Sequence, residues 1–138
     1  MNPIVKNILA IIAGIIVGSA VNMGLIIISG SIIPPPEGVD PADMESLKSS
    51  MHLFEAKHFI MPFLAHALGT LVGAWAAARI ATNRQFTFAM IIGLFFLLGG
   101  IVNSIQIPAP SWFIGVDLIF AYLPMAWLGY KLSGHSSK

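Results

Sequence analysis

Four long apolar stretches, joined by connections that are either short or rich in proline and charge, set the pattern of this chain. Residues 8–28 contain no charged side chain, and residues 59–78, 86–107 and 112–130 repeat the pattern with few interruptions. Each is close to the ~20 residues that an α-helix needs to cross the apolar core of a bilayer. The first is longer than a signal-peptide core and is followed by no convincing small-x-small cleavage site, so it is expected to stay in place as a membrane span. The predicted architecture is an all-α membrane protein: a four-transmembrane-helix up-and-down bundle, residues 1–138, as one transmembrane domain.

Within the spans, small residues recur at helical spacing. Ala65, Gly69, Gly73 and Ala77 fall on one face of the second span, and Ala10, Gly14, Gly18 and Asn22 on one face of the first. Such faces let two helix backbones approach closely, so Gly14, Gly18, Gly69 and Gly73 are candidate helix-packing positions, with the first two spans as partners. Pro62 cannot bond the carbonyl of His58, which predicts a bent or loosened first turn there. The string Gly18–Asn22 resembles Gly99–Asn103, and Ala74–Arg79 resembles Ala126–Lys131, in the same order along the chain. Two repeated hairpins related by an axis along the membrane normal would explain this; chance similarity between glycine-rich apolar helices would also do so.

The long connection, residues 29–57, begins with Pro34, Pro35 and Pro36, a stiff extended exit. Asp40 is placed as a helix N-cap with Pro41 at the first helical position, and Asp43 in the first turn suits the backbone dipole. Met44, Leu47, Met51 and Phe54 then share a face, which predicts a short amphipathic helix on the membrane surface, as a simple connector or as a lid or partner-binding ledge. The fourth span is interrupted by Asp117 and Pro124, and the tail after Lys131 is polar.

Composition narrows the class. With 57% hydrophobic and 9% charged residues and a mean hydropathy of +0.85, the chain is far more apolar than a soluble domain. A net charge of +1 gives no reason to expect nucleic acid. There is no cysteine, which excludes disulfides, thiol catalysis and thiolate metal sites. Lys6, Arg79, Arg84, Lys131 and Lys138 fall at one end of the bundle and only Lys48 and Lys57 at the other, so both termini are expected in the cytoplasm and the long connection outside.

Candidate chemistry gathers towards that outer side. Counting from the basic anchors at about 1.5 Å per residue puts His66 and Asp117 about 20 Å above the inner boundary, Asn22 about 24 Å and Asn103 about 28 Å. These four, with Gln106 at the outer end of the third span, predict a polar pocket open to the outside rather than a pathway through the membrane. His66 has two readings, a hydrogen bond tying helices together or a role in handling a proton, ion or ligand. A carboxylate at the depth of Asp117 should turn inward, and His66 is the partner at the same count. A second set, His52, Glu55 and His58, has the spacing of a weak metal site at a wet interface. Haem has no support, since the membrane histidines lie on one helix. No nucleophile is placed beside a base by any recognisable spacing, so neither a catalytic residue nor a cofactor is assigned.

The run Pro34-Pro35-Pro36-Glu37-Gly38-Val39-Asp40, with the third span ending in Asn103 and Ile107-Pro108-Ala109-Pro110-Ser111-Trp112, resembles a group of small four-span bacterial membrane proteins with a Pro-Pro-Pro-x-Gly-x-Asp outer loop. That resemblance implies a bacterial cytoplasmic membrane and says nothing about mechanism. Two functions remain open. One is a non-catalytic bundle acting through contacts in the bilayer, as a homo-oligomer or within a larger membrane complex. The other is a small solute or proton-coupled carrier using the outer polar pocket.

Overall fold

Asn2 starts the first helix, its side-chain oxygen accepting the backbone N–H of Ile4 at 2.8 Å while Pro3 occupies the first helical position. From there α1 runs over Pro3–Ile32 in the computed structural model, which describes residues 1–135. Ser136, Ser137 and Lys138, the end of the polar tail and one charge in the orientation count, lie outside the described residues. The other helices are α2 (Met44–Ser50), α3 (Ile60–Ile80), α4 (Gln85–Gln106), α5 (Ser111–Phe120) and α6 (Leu123–Leu132). Four helical stretches are long and apolar enough to cross a membrane: α1, Ala56–Ile80, α4, and α5 with α6 as one broken span. The protein is an all-helical, multi-pass bundle.

The second span, α3, is the axis of the bundle. It packs along α1 on one side and against α4 and α6 on the other. Small residues make this possible: Gly14 and Gly73 face each other, as do Gly18 and Gly69, and a Cβ added at any of the four would come within 3.0 Å of the opposing glycine's carbonyl oxygen. Gly129 of α6 lies equally close to the Leu71 carbonyl, and Gly93 of α4 to Ala126. The core is accordingly built of Ala74, Ala77, Ala78, Ala89, Ala126 and one large side chain, Ile92. In a bilayer the lipid tails satisfy Leu and Ile as well as a protein core does, so close backbone approach rather than large-residue burial holds the helices together. The large residues point out: Ile4, Ile8, Ile12, Ile16 and Ile27 on α1 are all exposed.

Polar contacts tie the end that carries the termini. Asn7 on α1 accepts from the Thr82 backbone N–H at 2.9 Å and donates to Asn83 at 3.1 Å, clamping α1 to the α3–α4 turn. Arg79 donates to the Ser133 carbonyl at 3.1 Å, satisfying a backbone acceptor just past the end of α6.

Three expectations are corrected. The amphipathic helix starts later and is shorter than the spacing implies: Asp43, not Asp40, is its N-cap, accepting from Glu45 N–H at 3.3 Å, while Asp40 holds a turn by accepting from Ala42 N–H at 3.0 Å. Pro62 does not loosen α3, because it lies in the helix's first turn, where a backbone N–H has no intrahelical partner to lose; a tight 3₁₀ turn, Ala56–Phe59, leads into it. The repeated-hairpin reading requires α1 to meet α6 as α4 meets α3. Instead α4 packs against both α3 and α6, and α1 has no comparable packing on α6.

Candidate functional site

Asp117 sits on α5 and is only 5% exposed. A carboxylate in such a place must be partnered, and it is: Oδ1 lies 2.8 Å from His66 Nδ1 of α3, and Oδ2 accepts the Tyr122 hydroxyl at 2.9 Å. The two residues placed at one depth by residue counting are thus brought into direct contact. Tyr122 was not singled out by sequence spacing. Five residues beyond Asp117, it would fall off the carboxylate's face in a continuous helix. Pro124 changes that. Its missing N–H and its ring oppose helix at this point, the chain breaks between α5 and α6 at Ala121 and Tyr122, and the phenol turns inward to 3% exposure. Its ring stacks on His66 with centroids 5.8 Å apart, and Gly100 of α4 leaves the space it fills.

Above this group lies a cavity of about 420 Å³, and beside it a smaller one of about 270 Å³. Asn22, His66, Gly100 and Asn103 line both, so the two share a polar floor. Asn22 Oδ1 is buried with no hydrogen-bond partner among the described residues. His66 spends Nδ1 on Asp117, leaving Nε2 without a partner among the described residues. Thr70, fully buried beneath, bonds back to the His66 carbonyl at 2.7 Å and is spent on its own helix. The walls are apolar, and Met44, Leu47, Met51 and Phe54, the face expected of the amphipathic segment, line the larger cavity together.

Gln106 does not join the site, and His52, Glu55 and His58 do not form a second one, although His58 lines the larger cavity. Gln106 is exposed and lines neither cavity, because one residue short of Ile107 on a helix turning about 100° per residue it faces away from the Gly100, Asn103, Ser104 and Ile107 stripe. His52, Glu55 and His58 do not converge: no three metal-ligating side chains do so among the described residues. The helical spacing behind that reading is absent, since Phe54 is extended, and Glu55 and His58 cap each other around a 3₁₀ turn, with Glu55 N–H donating to His58 Nδ1 at 2.8 Å. Lys57 pairs with Glu55 at 3.7 Å.

Of the hydroxyls beside His66, that of Thr70 donates to the His66 carbonyl and that of Tyr122 to Asp117. Comparison with protein-family models, curated proteins and solved structures finds no match to this chain.

Proposed function

We propose that the protein is a non-catalytic membrane binding protein that holds a small, largely apolar molecule in its loop-end cavity, with the His66–Asp117–Tyr122 group and Asn22 at the floor. The observation that carries this reading is the cavity itself, about 420 Å³ in volume, whose largely apolar lining brings Asn22, His66, Asn103 and Asp117 to one place. Its volume falls in the range of small-molecule sites, about 300–1,000 Å³. Apolar walls and few convergent polar groups are features of ligand sites in helical bundles. The Lys and Arg asymmetry supports an orientation with both termini inside, which turns the cavity to the outer face, and the resemblance carried by the Pro-Pro-Pro-x-Gly-x-Asp run supports a bacterial cytoplasmic membrane.

The test is what accompanies the protein. Purified from membranes in mild detergent and extracted with solvent, the wild type should carry an apolar small molecule that is lost from Ile114→Trp, a substitution that fills the cavity wall. Identical extracts from the two proteins, both folded by circular dichroism, would contradict the reading.

A second reading, an oligomeric or accessory subunit, draws on α1, of which only Ala10, Gly14 and Gly18 are buried. Crosslinking in native membranes that yields a defined multimer or a stoichiometric partner would favour it.

A further inference from the structure

The wall around the two cavities is not covered evenly. Midway along the bundle α4 packs closely on α1, with Ile92 against Gly14 and the Phe96 ring against Gly18. Past Phe96 that cover ends. Gly99 lines the smaller cavity and is nevertheless exposed, and a Cβ added there would meet no atom of a neighbouring helix within 4 Å. Asn103, one turn on, lines both cavities and is exposed as well. Opposite them on α1, Ile26 and Gly30 line the larger cavity and are exposed, and a Cβ at Gly30 would again meet nothing within 4 Å. These residues border a slot between the loop-end halves of α1 and α4, and neither Gly99 nor Gly30 puts a side chain across it.

The slot faces hydrocarbon. Gly99 is fifteen residues beyond Arg84 on one helix, so it lies about 22 Å from that basic anchor, within an apolar bilayer core about 30 Å thick. The surface around it is apolar, with Leu98 and Val102 of α4 and Met23 and Ile27 of α1 exposed. The way in from the aqueous side, in contrast, passes Met44, Leu47, Met51 and Phe54. We infer that the cavity opens sideways between α1 and α4 into the leaflet on the side of the long connection, and that what it holds is the acyl chain of a bilayer lipid, entering through this slot. This rests on the binding reading given above and adds the class of ligand and its route. An acyl chain is the species present at the depth of Gly99, and passing from bilayer to apolar cavity it never has to enter water. Met44, Met51 and Met61 in the lining adapt to a flexible chain.

The test uses a phosphatidylcholine with a diazirine near the middle of one acyl chain, built into nanodiscs with the protein, irradiated, and mapped by peptide mass spectrometry. In a second arm a small apolar photoprobe, trifluoromethyl phenyl diazirine, is added to the protein in mild detergent. Met61 and Phe113 report the cavity, since they line it and are only 6% and 8% exposed, whereas Ile12 and Ile105, both exposed, report contact with bulk lipid. Wild type should give lipid adducts at all four. Gly99→Trp or Asn103→Trp, each shown to be folded by circular dichroism, sets an indole at the slot and should lose the lipid adducts at Met61 and Phe113 while keeping those at Ile12 and Ile105. Gly99→Ala, too small to cover the slot, should keep all four. Lipid adducts at Met61 and Phe113 that persist in both tryptophan variants would overturn the slot as the route. If the lipid gives none there in wild type but the small probe does, the cavity stands as a binding site and the acyl-chain inference is overturned. If neither reagent reaches Met61 or Phe113, the binding reading itself fails.

Discussion

At the scale of single residues, the Asp117 carboxylate makes the largest demand, because a charge placed in the loop-end half of a membrane bundle must be answered nearby. It is answered twice, by His66 at 2.8 Å and Tyr122 at 2.9 Å. Tyr122→Phe leaves the ring in place and removes one donor, so it should cost about 1–2 kcal/mol, measured as a lower unfolding midpoint in detergent. His66→Ala and Asp117→Asn should each destabilise, and the double variant should lose less than their sum by about 1 kcal/mol, since each single change strands the other partner. Strict additivity would mean that the 2.8 Å contact carries no coupling. The His66–Asp117 pair was legible in the sequence because depth along a helix is fixed by residue count. Tyr122 was not, because its place depends on a helix break whose exact residue Pro124 does not dictate. Gln106 misled for a related reason: depth counting locates a residue along the helix axis but says nothing about which side it faces.

At the scale of elements, the contact between α1 and α3 shows most clearly how sequence becomes packing. Glycines four apart on each helix place two backbones against one another, and Gly14–Gly73 and Gly18–Gly69 interlock. Gly69→Leu should therefore force the helices apart and cost about 2 kcal/mol or more, whereas Gly24→Ala, whose added Cβ meets nothing within 4 Å, should not lower the melting temperature. Equal effects of the two substitutions would show that this face does not hold the bundle. The four-residue spacing made this contact legible, since it needs only helical geometry. The segment between α1 and α3 was harder to read: Asp40, Pro41 and Asp43 offer two overlapping start signals, and Asp43 serves as the cap while Asp40 closes the preceding turn. The apparent hairpin repeat had the opposite defect. Similar glycine-rich strings suit any close helix contact, so they record a shared packing requirement and not a shared arrangement.

At the scale of the whole molecule, α3 is the central post, α1 lies along one side of it, and α4 with the broken α5–α6 span closes the other. The polar clamps through Asn7 and Arg79 secure the end with the termini, and the cavity occupies the opposite end. The bundle thus has a clamped end on the side where basic residues accumulate and a cavity at the end facing away from it. The chain's lack of cysteine makes the direction measurable with single introduced thiols. Ser50→Cys on the α2 segment, Ser104→Cys on the cavity wall and Ser137→Cys in the C-terminal tail can each be exposed to a membrane-impermeant maleimide in intact cells. The account predicts labelling at Ser50→Cys and Ser104→Cys, and none at Ser137→Cys until the membrane is broken. Labelling at Ser137→Cys in intact cells, with Ser104→Cys untouched, would contradict it.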